Sequence, residues 1–250
     1  MAEQREIAST TAGPQNTGFN QTPNVHVRLR AMLVQPWDAA INDDEWQSWL
    51  ADGHDFGHLI TNDSSSRWPV VVPTHFVFDG DREIIIHLAR PNPIWPALER
   101  CSFAMLSVVD DYAYVPTTWR ADDGTTPENG VPTSYYTAVQ LFCSVSLVDD
   151  PEEKAELLRR QLAHFQPAGD HGELEVGQPP YGRMLAAIRG MRLRVEDVTA
   201  KFKYDDHKPA SLRQHVADLL GERSDKRDAQ ARAQQLRRLA ATASRRDQSS

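Results

Sequence analysis

What this 250-residue chain lacks narrows its chemistry quickly. It has two cysteines and no Cys-x-x-Cys, so neither a disulfide framework nor a cysteine metal knuckle organises it. Cys101 and Cys143 sit among apolar neighbours, as buried thiols do. No apolar run is long enough to cross a bilayer, and Met1 to Asn24 has no hydrophobic signal core, so a cytoplasmic protein without membrane contact is expected. There is no Gly-x-Gly-x-x-Gly after a strand, no Walker loop and no Gly-x-Ser-x-Gly elbow, which removes three familiar enzyme classes. His54 and His58 have helical ligand spacing, but Gly53 and Gly57 deny them a helix, and no zinc site is expected there.

What is present describes a globular chain. Hydrophobic residues make up 40% of it, enough for one sizeable core or two small ones. The net charge of -8 disfavours nonspecific attraction to nucleic acid. That charge is uneven: from Glu222 onward eight Lys/Arg face four acids, so the tail carries +4 and the remainder -12. Residues 1–30, rich in Thr, Gln, Asn and Gly, read as a disordered leader. Residues 31–220 hold the patterned segments, and 221–250 form a basic tail, helical or frayed.

Between Phe56 and Val148 strands dominate. Phe56–Thr61, Pro69–Phe78 and Ile84–His87 are short and joined by turn-rich loops, whereas Ala104 to Trp119 and Val131 to Val148 are longer. Met191, Leu193 and Val195 alternate inward in a later strand. Helices are expected after a cap at Asn42 or Asp43, after Asp150-Pro151, over Tyr181 to Ile188, and from Ser211 with Leu212, Val216, Leu219 and Leu220 as its stripe. Hairpin-joined strands with helices at the margins indicate a mainly β, α+β fold: an antiparallel barrel with peripheral helices, not a doubly wound parallel sheet.

One stretch invites function. Ile84 to His87 is a strand, after which Arg90, Asn92 and Pro93 supply a turn and a helix start, with Asn92 as N-cap. Open backbone N–H groups beside the Arg90 guanidinium would make an anion seat. Taken by themselves the same residues also describe an ordinary strand-to-helix connection, and Pro96 offers a second helix start at Trp95.

Five segments resemble the PaiB-type proteins, known as FMN-binding negative transcriptional regulators, of the FMN-binding split-barrel group. The family's His-Leu-Pro-Phe strand is similar to Thr74-His75-Phe76-Val77, and its Gly-His-x-Ala-Arg-x-Asn-Pro-x-Trp signature to His87-Leu-Ala-Arg90-Pro-Asn92-Pro-Ile-Trp95. Its Ala-Tyr-Ile-Ser-Pro-Ser-Trp segment resembles Ala113-Tyr114-Val-Pro-Thr-Thr-Trp119, and Val-Pro-Thr-Trp-Asn-Tyr resembles Val131-Pro132-Thr133-Ser-Tyr-Tyr136. Gly-Lys-Phe-Lys is echoed by Ala200-Lys201-Phe202-Lys203.

The resemblance implies a split-barrel homodimer with two cofactor clefts at the subunit interface. Arg90 and Asn92 would meet the FMN phosphate, Thr74, His75 and His87 would face the cleft, and Lys201 or Lys203 would add a cation. Tyr114, Trp119 and Tyr136 could supply an aromatic ring end. The family name implies a flavin-linked oxidoreductase or a transcriptional regulator. DNA contact would rest on the basic tail alone, because no helix-turn-helix is evident. Haem makes similar demands, and haem-dependent piperazate synthases, which join two nitrogens of a hydroxylated ornithine, resemble the same group. In that alternative His75 or His87 binds iron, and Arg90 and Lys201 meet propionates or the substrate carboxylate.

Overall fold

The structure is a computed structural model that describes residues 32–121 and 124–248; the expected leader lies outside the described residues. Its elements are α1 (Asp43–Ala51), β1 (Phe56–Thr61), β2 (Val70–His75), β3 (Val77–Phe78), β4 (Glu83–Ala89), α2 (Ile94–Arg100), β5 (Phe103–Val115), β6 (Thr133–Val148), α3 (Pro151–Phe165), β7 (Ile188–Lys203), α4 (Ala210–Arg223) and α5 (Asp228–Gln248). The expected helix over Tyr181 to Ile188 is a 3-10 turn, Gly182–Ala187.

The strands form one antiparallel sheet in the order β2-β1-β5-β6-β7-β4-β3. Its two edge strands, β2 and β3, are consecutive in the chain and separated only by Phe76. A sheet whose two edges are one extended segment must curl until they meet, which is how this chain makes a barrel. The interior is filled by alternate residues: Ile84 and Ile86 from β4, Leu106 and Val108 from β5, Val139 and Leu141 from β6, Met191, Leu193 and Val195 from β7. The period-2 pattern that marked them in the sequence is the pleat of the barrel wall.

Helix starts are set by local chemistry. Asn42 accepts the Glu45 N–H at the head of α1, and Asp150 accepts those of Glu152 and Glu153 at the head of α3. Such caps contribute roughly 0.5–2 kcal/mol each. α3 lies over the outer wall at β3, β4 and β7, where Leu157 joins Val77 and Ile85 in a small satellite core. Gly190 lets it approach: a Cβ there would stand 2.9 Å from Leu157 Cδ1 and 3.2 Å from Val148 Cβ.

The C-terminal segment is a helical hairpin packed on the barrel. Val216, Leu220 and Ala231 enter the main core, and Arg238 is 2% exposed. Its guanidinium donates to both Glu45 oxygens at 2.8 and 2.9 Å, to Asp206 at 2.8 Å, and to the carbonyls of Trp37 and Ala39. Arg237 also reaches Glu45, at 2.6 Å. Part of the positive excess of the tail is thus spent on acids of the body.

Candidate functional site

β3 pairs with β4 so that Val77 faces Ile85 and Phe78 faces Ile84. Continued two residues beyond β3, that register sets His75 opposite His87, and their rings meet edge to face at 5.6 Å. Both point outward from the barrel, on the Ile85 side of the pleat, beneath the last turns of α3. Three α3 residues close over them, at positions sharing one helix face. Gln161 Oε1 lies 2.5 Å from His87 Nδ1, Phe165 packs on His75 at 5.0 Å, and His164 is 2.9 Å from Asp55.

The two imidazoles are differently engaged. His87 uses Nδ1 on Gln161, whereas among the described residues no hydrogen bond reaches either ring nitrogen of His75. Burial, with His87 alongside, holds the His75 pKa below the usual imidazole value, so near neutral pH it is an uncharged ring. Thr74 does not share this face, contrary to expectation. Strand alternation turns it inward, where it is 4% exposed and its hydroxyl donates to the His75 carbonyl at 3.0 Å.

At the far end of β4 the expected anion seat is built differently. The Ile94 N–H is taken by the Asn92 side chain at 3.1 Å, that of Trp95 by the Asn92 carbonyl at 3.4 Å, and that of Asn92 by the Ala89 carbonyl. The amides that should have been open are internally satisfied, because Asn92 turns back on its own turn. Arg90 remains. It donates to the Ala186 carbonyl at 3.1 Å and reaches Asp149 at 3.4 Å, with both side chains of that pair about half exposed. Asp149 is gripped more closely by Arg189, at 2.6, 2.9 and 3.0 Å, which with nearby Arg90 holds its carboxyl below the usual range. Arg90 is therefore the loosely held cation of the group: it can leave Asp149 without stranding that carboxylate.

The remaining expected residues lie elsewhere. Tyr136 pairs with Lys203, whereas Val148 pairs with Gly190, the residue that also faces His87. Twelve residues of β6 separate these points, on the order of 35–40 Å at about 3.3 Å per residue. Lys201 and Lys203 flank the Tyr136 ring at 5.6 and 5.8 Å. Lys201 donates to the Leu33 carbonyl at 2.9 Å, and Lys203 to Thr133 and Ser134. Burial keeps the pKa of Lys203 below the usual lysine value. Trp119, beyond the Val115 end of β5, is covered on one face by the Arg223 guanidinium at 4.7 Å. Tyr114 is exposed. In one chain, the histidine wall and the tyrosine–lysine end cannot touch one flavin.

Sequence reasoning missed Gln161, whose only signal was a glutamine four residues after Leu157 in an otherwise apolar stripe. It also missed Arg189, and a network in which His54 stacks on Trp49 at 3.9 Å while meeting Asp111 at 3.2 Å. Among the described residues no cluster of three or more His, Cys, Asp or Glu could hold a bare metal ion, and no helix is long and apolar enough to cross a membrane.

Comparison with known proteins bears on this geometry. No curated protein matches the chain. Among solved structures it is similar to the flavocytochrome Anf3 from Azotobacter vinelandii, with 22% identity, TM-score 0.50, and 67% of this chain and 70% of that one covered. It is also similar to the FAD and heme binding protein from Mycobacterium smegmatis, with 20% identity, TM-score 0.50, and coverage of 66% and 73%. At those identities the likeness supports the fold alone, the split barrel described above. The family model "Putative FMN-binding domain" matches residues 32–197, from before α1 through most of β7. The chain therefore belongs to the FMN-binding split-barrel family which that model defines.

Proposed function

We propose that this protein is a homodimer holding FMN against the His75–His87 wall, where it serves as a flavin-linked redox site. The observation that carries this reading is the wall itself: two imidazoles side by side on the outer surface, one neutral and with no hydrogen bond to its ring among the described residues, beside an uncovered, largely apolar face. That face follows from the register. Phe56 and Ile60 of β1, Val71 and Pro73 of β2, and Phe103, Met105 and Val109 of β5 point outward together around the polar pair His58 and Ser107, and Phe56, Val71, Phe103 and Val109 are exposed. Phe56 is the direct neighbour of His75. Apolar surface of this extent is typical of an interface.

A second copy seated on this face gives the Tyr136–Lys201–Lys203 end a role, because a two-fold axis can bring one chain's far end to its partner's histidine wall. Arg90 fits the phosphate, being the cation that can be released at least cost. Asn92 supports it by closing the turn, and its amides are not donors to the ligand. FMN, when bound, would supply hydride or single-electron transfer. The chain's own part is to clamp the phosphate with Arg90, flank the ring with His75, His87 and Phe165, and exclude water with the partner's surface.

A regulatory reading through DNA finds less support. Arg223 is paired with Asp228 at 2.6 Å, and Arg237 and Arg238 with Glu45, so these tail cations are not free to meet phosphates.

One observation favours haem as the second reading. His87 gives its Nδ1 side to Gln161, the arrangement that leaves the other nitrogen for iron. In that case Arg90 of one chain and Lys201 of a second copy would meet propionates or a substrate carboxylate, as in a piperazate-synthase-type enzyme. The visible spectrum of the purified protein, before and after adding FMN or hemin, separates the two. A two-band flavin spectrum supports FMN and a Soret band supports haem. A colourless protein that takes up neither would remove both.

A further inference from the structure

We infer that Gln161 is a positioning residue: by accepting the Nδ1 hydrogen of His87 it fixes that ring's tautomer, so the barrel wall presents a lone pair at Nε2. The assignment follows from what each neighbour can and cannot donate. The Gln161 side-chain nitrogen lies 3.4 Å from the Ile85 carbonyl, which can only accept, so the NH2 group must face it. That leaves Oε1, also an acceptor, turned to His87 Nδ1 at 2.5 Å. Two acceptors cannot bond without a hydrogen between them, so Nδ1 carries it. A neutral imidazole has one N–H, and the lone pair is therefore on Nε2.

The rest of the site holds this arrangement in place. Gln161 is 3% exposed, so its amide cannot exchange these partners for water. One turn on, His164 ties the helix to Asp55, whose carbonyl receives the Phe76 N–H at the junction of β2 and β3. Gly190 leaves room for Leu157 one turn earlier. α3 is thus pinned on both sides of Gln161. Histidine in water favours the opposite tautomer, with hydrogen on Nε2, so a protein that wanted only a filled wall had no need of a buried glutamine here.

The consequence is chemical. With hydrogen on Nε2, His87 could offer an acidic N–H to a neighbouring group; with the lone pair there, it offers an electron pair, which takes a proton from a ligand or binds a metal centre. This deepens the reading given under Proposed function by naming which atom of His87 meets the ligand, while the tautomer itself is a property of the chain without any ligand.

The test is nitrogen NMR of the imidazoles in the full-length protein, which reports directly which ring nitrogen carries hydrogen. His87 is assigned by its loss in His87→Asn. The expected result is His87 as a single Nδ1–H tautomer. Gln161→Leu, which removes the acceptor, should move it towards Nε2–H. Wild-type protein with hydrogen on Nε2 would overturn the inference even if that variant does not fold, and so would an unchanged tautomer in folded Gln161→Leu. FMN and hemin titrations of the wild type run alongside. If neither binds while the Nδ1–H tautomer is found, the cofactor reading fails and the role of Gln161 stands.

Discussion

Two regions of this molecule bury polar side chains, and they do so in opposite ways. At the C-terminal joint, every guanidinium nitrogen of Arg238 has a partner, and the acids Glu45 and Asp206 are shared with Arg237 and Arg213. At the barrel wall, His87 has one nitrogen engaged and His75 has none among the described residues. Arg213 Nε and Gln235 Oε1 have no hydrogen bond among the described residues, yet each acid of the joint has its counter-charge, and such a charge-matched network resists change because each lost ion pair leaves a buried charge unmatched. An unsaturated pair keeps capacity for something that arrives later. The difference teaches where to look for function: at the half-used histidines, not at the more numerous and more deeply buried charges of the joint.

The comparison can be broken most severely at the joint. Arg238→Ala would leave Glu45 and Asp206 short of their counter-charge, and is expected to cost about 3–5 kcal/mol. Chemical denaturation would show it as an earlier midpoint or as failure to fold. A stability within error of wild type would mean the joint is peripheral. The double variant Phe103→Glu with Val109→Glu tests the apolar face next. Sedimentation should give a monomer that still folds, because both positions are exposed in the single chain; an undiminished dimer would put the interface elsewhere.

A smaller effect belongs to Arg90→Ala. Losing a charge-assisted contact is worth roughly 1.5–3 kcal/mol, so FMN affinity should fall about tenfold or more while thermal stability barely moves. Unchanged affinity would remove Arg90 from the phosphate.

The smallest effect concerns His54, a third kind of polar burial. Burial opposes its charge, but the hydrogen bond and charge of Asp111, the Trp49 carbonyl and Asp110 outweigh that and raise its pKa above the usual value. The His54 Nδ1 contact to the Trp49 carbonyl at 2.6 Å and the Nε2 contact to Asp111 at 3.2 Å each call for a hydrogen on the ring. Since the folded value lies above the unfolded one, its stabilisation is complete below about pH 6.5 and declines as pH rises through the folded value. His54→Gln should flatten stability between neutral and mildly alkaline pH; a variant with the wild-type pH dependence would contradict this.

Much of the fold was legible because its signals are local. The alternation of Met191, Leu193 and Val195 and the Asn42 and Asp150 caps each express a periodicity or a short-range bond. The site was legible only in part. His75 and His87 stand out as residues, but their pairing needs the register of β3 on β4, and their partner Gln161 comes from a helix 74 positions away. Asn92 shows the reverse problem. It stands one residue before the actual N-cap, Pro93, and its side chain takes the first helix N–H for itself, so the expected anion seat closes. Local sequence reports who is able to bond, and tertiary packing decides which of those bonds are already spent.

The central claim is that a flat prosthetic group lies against the His75–His87 wall. The most direct measurement is the visible spectrum of the wild-type protein saturated with FMN, and separately with hemin, beside that of His75→Ala with His87→Ala. The account predicts that one of the two ligands binds the wild type with a protein-shifted spectrum, and that the double variant binds it at least tenfold more weakly. Equal binding and an identical spectrum in the two proteins would contradict it.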